Sequence, residues 1–133
     1  MMTPTKIAKP WGFELLWAYT DHYAGKILHI DRGKRLSLQY HNRKDETLYL
    51  LNGRMRLDLE DDGGALVQHE VQPGESFRVP AGRRHRIHAL EECRVLEAST
   101  PELDDVVRIQ DEYGRAVVSE EARTVAAGLY GEI

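Results

Sequence analysis

The sequence predicts an all-β domain, an antiparallel sandwich or barrel, with one short C-terminal helix. Three observations predict it. Apolar and polar residues alternate with period 2 through most of the chain, the pattern of half-buried strands. Turn signals rich in Gly, Asn, Asp and Pro separate the runs at short, regular intervals. Only one stretch, late in the chain, has the marks of a helix.

The runs fall at about 26–31, 36–41, 46–52, 54–60, 66–71, 75–79, 85–90 and 93–98. Met55, Leu57 and Leu59 alternate with Arg54, Arg56, Asp58 and Glu60, as in a strand with one face in the core. Between the runs lie Asp31-Arg32-Gly33, Asn52-Gly53, Asp61-Asp62-Gly63-Gly64 and Gln72-Pro73-Gly74. Asn52-Gly53 between two strands predicts a tight hairpin, because both central positions of a type I′ turn need positive φ. Ser119-Glu120-Glu121-Ala122 opens the helix with a capping serine and acidic first-turn residues, and the helix runs to about Ala127 before Gly128. Residues 1–10 read as an N-terminal arm because Pro4 and Pro10 disfavour regular structure. Residues 116–133 read as a tail carrying the short helix, so that 1–133 form a single domain. Trp11, Phe13, Trp17 and Tyr19 alternate as well; they suit core packing, a swapped dimer arm, or stacking on a sugar ring.

Composition narrows the function. The 133 residues carry a net charge of -4, with 41% hydrophobic and 30% charged residues, which suits one globular domain and excludes a disordered or collagen-like chain. Mild acidity argues against nucleic acid as a partner. No apolar run reaches the ~18 residues of a membrane span, and the N-terminus lacks the apolar stretch of a signal peptide. The single cysteine, Cys93, permits no internal disulfide, so a cytoplasmic location is expected.

Arg35-Leu36-Ser37-Leu38-Gln39-Tyr40-His41 has a polar face of Ser37, Gln39 and His41 and an apolar face of Leu36, Leu38 and Tyr40. With the polar face inside a barrel, the apolar one requires a cover: the N-terminal arm or a second subunit, hence an expected homodimer. The reverse orientation describes an ordinary surface strand. Two separated segments decide for the first. Gly33 is followed after five residues by Gln39-Tyr40-His41, then by Glu46 and Gly53; Gly74 is followed after five residues by Pro80-Ala81-Gly82 and then His85. This pattern resembles the two motifs of the cupin superfamily, small jelly-roll β-barrels with a metal held inside. Gln39 stands where the first histidine of that family's HxH is usual, and Ala89 where a final asparagine is usual.

Residues 39 and 41 share a strand face, Glu46 lies across a turn, and His85 follows a Pro-Ala-Gly turn, so the four can converge on one divalent cation. Zinc accepts such nitrogen and oxygen donors; manganese, nickel, cobalt or iron also suit them. The alternative is a set of polar groups that only hydrogen-bond one another.

Four further blocks resemble the cupin domain of type II phosphomannose isomerases, which are often fused to mannose-1-phosphate guanylyltransferase. They are Lys9-Pro10-Trp11-Gly12, residues 35–41, Pro80-Ala81-Gly82 through His85-Arg86, and Asp104 through Arg115. In that family Gln is the expected residue at 39, so the resemblance implies Gln39, His41, Glu46 and His85 as the metal set. The flank at 42–48 departs from the family, whose histidines, arginine and His-Trp pair are replaced here. A guanylyltransferase domain is not expected in so short a chain.

The resemblance implies a metal-dependent sugar-phosphate isomerase that interconverts mannose 6-phosphate and fructose 6-phosphate or a related pair. Such chemistry needs a cation to hold the developing oxyanion, a proton-transfer group, and positive charge for the phosphate. His88 and Glu97 are candidates for proton transfer, and Lys44 and Arg115 for anion binding or catalysis. Against these roles, His88 reads as a rim histidine, Glu97 as an edge charge, Lys44 as a solvated loop residue and Arg115 as an anchor of the C-terminal segment. His22, His29 and His69 receive no role. Two other readings stand: a non-catalytic metal-containing cupin that binds a sugar or sugar nucleotide, and an iron-dependent oxygenase.

Overall fold

The computed structural model describes residues 3–118. The expected helix at 119–127 lies outside them. Two antiparallel sheets face each other. The first has six strands: β1 (Thr5–Lys9), β2 (Gly12–Tyr19), β3 (Ala24–Ile30), β10 (Cys93–Ser99), β5 (Glu46–Asn52) and β8 (Ser76–Val79), in that order. The second has five: β11 (Val107–Gln110), β4 (Leu38–Tyr40), β9 (His85–Ala89), β6 (Met55–Glu60) and β7 (Leu66–Val71). This is an all-β jelly roll, the architecture expected. No helix among the described residues is long and apolar enough to cross a membrane.

Residues 5–9 of the expected arm form β1, which pairs with β2 from Thr5↔Leu16 to Lys9↔Gly12. Pro10 does not oppose this hairpin, since it occupies the two-residue turn with Trp11, where its fixed φ and missing N–H do no harm. The alternating aromatics of this turn and of β2 divide their labour. Trp11 is in the core, Phe13 stacks on His29 with centroids 4.7 Å apart, and Trp17 lies half-exposed over Gly25.

The Asn52-Gly53 turn corrects the expected hairpin. β5 pairs with β10 and β8, whereas β6 pairs with β7 and β9, so the turn carries the chain from one sheet to the other. Gly53 has φ +88°, and no described non-glycine residue has positive φ, so Asn52 cannot complete a type I′ turn. Gln72-Pro73-Gly74 and Pro80-Ala81-Gly82 cross between the sheets in the same way. Asp61 does close a hairpin, between β6 and β7; its Oδ1 accepts hydrogen bonds from the N–H groups of Gly63 and Ala65.

The cover of the outward face of β4 is also corrected. Leu38 and Tyr40 pack against Val107 and Ile109 of the chain's own β11, not against the arm. Leu36 turns the other way, into the main core, because regular pairing begins only at Leu38. The surface on which the expected homodimer rested is therefore already covered.

The main core fills one half of the space between the sheets. On three neighbouring strands of the first sheet and on β9 of the second, the inward positions change character along the strand. β3 presents Lys26, then Leu28 and Ile30; β5 presents Glu46, then Leu48 and Leu50. β9 presents His85, then Ile87 and Ala89; β10 presents Glu97, then Val95 and Cys93 as the strand runs back. One end of the barrel is thus an apolar plug and the other a buried polar chamber.

Candidate metal centre

The polar chamber collects groups from loops and strands far apart in the chain. His41 follows β4, and its position is held at the backbone, where its carbonyl accepts the Gly82 N–H at 2.7 Å. That contact ties the Pro80-Ala81-Gly82 turn, with Gly82 at φ +83°, to the end of β4. His85 begins β9 directly after the turn, and Glu46 begins β5. All three side chains are buried.

Their ligand atoms lie within 4.8 Å of one another. Glu46 Oε1 is 3.5 Å from His41 Nε2 and 3.4 Å from His85 Nε2. Each imidazole is oriented through its other nitrogen: His41 Nδ1 lies 2.5 Å from the Asp105 carbonyl, and His85 Nδ1 lies 3.0 Å from that of Arg83. A carbonyl can only accept, so each Nδ1 carries a proton, and each Nε2 is the atom turned towards Glu46. His41 Nε2 is buried with no hydrogen-bond partner. Two imidazole nitrogens turned towards one carboxylate, one of them buried without a partner, fit a divalent cation such as zinc. A void of about 20 Å³ bordered by Gln39, Glu46 and His85 is large enough for one small ion or water. Burial alone would raise the Glu46 carboxyl; contacts with His41 and His85 and the charge of Lys44 hold it well below the usual carboxylate range. It is therefore ready as an anionic ligand.

Gln39 pairs in register with His85 across β4 and β9, so its side chain lies on the same face. Its Oε1 accepts a hydrogen bond from the buried Ser37 hydroxyl at 2.6 Å, which fixes the amide and leaves the oxygen a second lone pair. All four residues of the expected metal set are therefore brought together.

Beside them lies a buried charge chain. Lys44 Nζ is 3.1 Å from Glu46 Oε2 and 3.1 Å from Glu97 Oε2. Lys44 is no solvated loop residue, and Glu97 no edge charge; both are almost wholly buried. Burial would lower the Lys44 ammonium, but the Glu97 and Glu46 carboxylates override it and raise it. Glu97 is pushed up to about 8, first by burial and then by the negative charge of Glu46. The loop that brings Lys44 inward is clamped by Asp105, whose carboxylate accepts the backbone N–H groups of Asn42, Arg43 and Lys44.

A cavity of about 230 Å³ opens from this cluster. Gln39, His41, Lys44, Glu97, Arg108 and Arg115 all line it. Lys26 and Glu14 also line it and were not singled out by sequence; Lys26 Nζ lies 3.5 Å from both Glu14 oxygens. Arg115 reaches the cavity wall but is also the anchor expected of it, bound through Nε and Nη2 to Asp111 at 3.1 and 2.8 Å. His88 is not brought to the site. Strand alternation turns His85, Ile87 and Ala89 inward, and places His88 on the outer face beside Arg56.

The comparisons agree with this geometry. The Cupin domain family matches residues 26–99, the stretch holding the candidate metal set. Mannose-1-phosphate guanylyltransferase of Escherichia coli (strain K12) is 29% identical over 115 residues, covering 83% of this chain and 23% of that protein. The alginate biosynthesis protein AlgA of Pseudomonas aeruginosa is 27% identical over 128 residues, covering 92% of this chain and 25% of that protein. The chain thus spans about a quarter of the length of these relatives, and their names are not those of dedicated isomerases. Among solved structures, KdgF from Halomonas sp. superposes with a TM-score of 0.66 at 23% identity, covering 77% of this chain and 91% of that one. Oxalate decarboxylase of Lactobacillus farciminis gives a TM-score of 0.67 at 19% identity, covering 76% of this chain and 32% of that one. With the match spanning more than half of the residues and the paired sheets enclosing a His-Glu-His cluster, the chain belongs to the cupin family.

Proposed function

We propose that this cupin is a metal-dependent sugar-phosphate isomerase, acting on mannose 6-phosphate and fructose 6-phosphate or a closely related pair. The observation that carries the reading is the buried Lys44–Glu97 pair set directly against the His41/Glu46/His85 cluster at the base of a sugar-sized cavity. Moving a proton between adjacent carbons requires a weak base that regains its proton, and a buried carboxyl raised towards neutrality is suited to that. Glu97 is the proton-transfer group in this reading. Lys44 holds it in place and supplies positive charge where negative charge develops on the substrate oxygens. Gln39, His41, Glu46 and His85 would hold the divalent cation, which supplies polarisation of the substrate carbonyl when bound. The relatives named for mannose 1-phosphate chemistry support a sugar phosphate as the substrate class.

The test is incubation of metal-reconstituted protein with mannose 6-phosphate and with fructose 6-phosphate. Interconversion that is abolished in Glu97→Gln is the expected result. Absence of turnover with zinc, manganese, cobalt and nickel alike would overturn the isomerase reading. One observation favours a second reading, a metal-containing cupin that binds a sugar or sugar nucleotide without turning it over: Lys44 is held between two carboxylates. Saturable sugar-phosphate binding without turnover would establish it.

A further inference from the structure

The cavity is lined by five basic side chains, and four of them face a carboxylate. Lys44 lies between Glu46 and Glu97. Lys26 and Lys9 converge on Glu14 at 3.5 and 3.7 Å. Arg115 presents its guanidinium fork to Asp111. Arg108 is the exception. Among the described residues its side chain has no ion pair within 4 Å, and its Nε is buried without a hydrogen-bond partner.

Its place in the fold is set by register. β11 pairs with β4 so that Arg108 stands opposite Gln39, and paired residues on neighbouring strands project to the same face. Val107 and Ile109 pack against Leu38 and Tyr40 on the other face, which turns Arg108 into the cavity beside the metal set. Burial, then the neighbouring positive charge of Arg115, lowers the Arg108 guanidinium from its ordinary value. A half-buried guanidinium with a buried, open Nε donor and a like-charged neighbour, offset only in part by the charge of Asp111, is further stabilised by an oxyanion.

We propose that Arg108 is the anion-recognition residue of this cavity, binding the phosphate group of the substrate, while Arg115 is held by Asp111 as a positioning residue. This rests on the reading of the substrate as a phosphorylated sugar. It separates two arginines that sequence motifs alone treat together, and it assigns recognition to the one without a carboxylate partner.

Isothermal titration of the metal-loaded protein with inorganic phosphate, D-mannose 6-phosphate and D-mannose tests it. The expected result is saturable binding of phosphate and mannose 6-phosphate, with mannose at least about tenfold weaker. Arg108→Gln should weaken phosphate by about tenfold or more and abolish the preference for the phosphorylated sugar. Arg108→Lys should fall between, because it keeps the charge and loses the fork. Metal content should stay that of the parent in both variants. Arg54→Gln, at an exposed pair with Glu70, should bind like the parent. Phosphate affinity unchanged in both Arg108 variants would overturn the proposal, as would absence of phosphate binding by the parent. Phosphate binding that depends on Arg108 without any sugar turnover would uphold this inference while overturning the isomerase reading.

Discussion

Lys44 concentrates the electrostatic problem of the site in one side chain. It is about 5% exposed and holds apart two buried carboxylates, Glu46 and Glu97. Removing the cation leaves the Glu46 carboxylate, and whatever charge Glu97 carries, uncompensated in a low dielectric, a far costlier change than losing a surface pair. Lys44→Met should therefore lower unfolding free energy by about 3–5 kcal/mol, measured by urea denaturation of the metal-free protein. A loss under about 1 kcal/mol would show that a protonated Glu97 already relieves Glu46 by donating a hydrogen bond to it. The residues of the candidate metal set were legible through the resemblance to the cupin motifs, with which a strand placing 39 and 41 on one face and a Pro-Ala-Gly turn before His85 agree. Lys26 was legible in principle, since Ala24, Lys26, Leu28 and Ile30 alternate as one inward face. Glu14 was not, because the strand that carries it was not recognised. The same alternation along His85–Ala89 excludes His88 from the chamber, and only its proximity in sequence to His85 had suggested otherwise.

At the level of elements, the turns do more than reverse the chain. Gly53 carries the crossing between sheets, with φ +88° and an added Cβ meeting the Glu92 carbonyl oxygen at 2.2 Å. Two independent costs fall on any side chain there, a left-handed backbone and a backbone clash that no rotamer relieves. Gly53→Ala should destabilise the protein by about 2 kcal/mol or more, read as a shift in the urea midpoint with unchanged slope. Gly33, at φ +77°, has open space around its Cβ position, so Gly33→Ala should cost less. Eight strand runs were visible from alternation and turn chemistry. β1 and β2 were obscured by the prolines at their borders and by the row of aromatics. β11 was obscured by its length of four residues. Asn52-Gly53 looked like a hairpin because turn propensity is local, whereas the partner of each strand is set by which sheet buries its apolar face.

For the whole molecule, a metal held by this cluster would be thermodynamically linked to the fold. A ligand that binds only the folded chain stabilises it by RT ln(1 + [L]/Kd), about 2.7 kcal/mol at a hundredfold excess over Kd. Zinc should raise the melting temperature of chelator-treated protein by several degrees, and His85→Ala should abolish that shift together with the metal content. An equal shift in parent and variant would remove His85 from the metal set. Period-2 alternation sufficed for an antiparallel sandwich or barrel, because it follows from which side chains share a strand face, a property of near neighbours; the jelly roll and the set of Gln39, His41, Glu46 and His85 were what the resemblance to cupins implied. The burial of Lys44 and Glu97, the return of β11 to cover β4, and the placing of Arg108 rather than His88 in the cavity came only with the assembled sheets. Those features depend on pairing between segments up to about 70 residues apart, such as Gln39 with Arg108, and on the solvent that such pairing excludes. Neither is encoded in any local stretch of the chain.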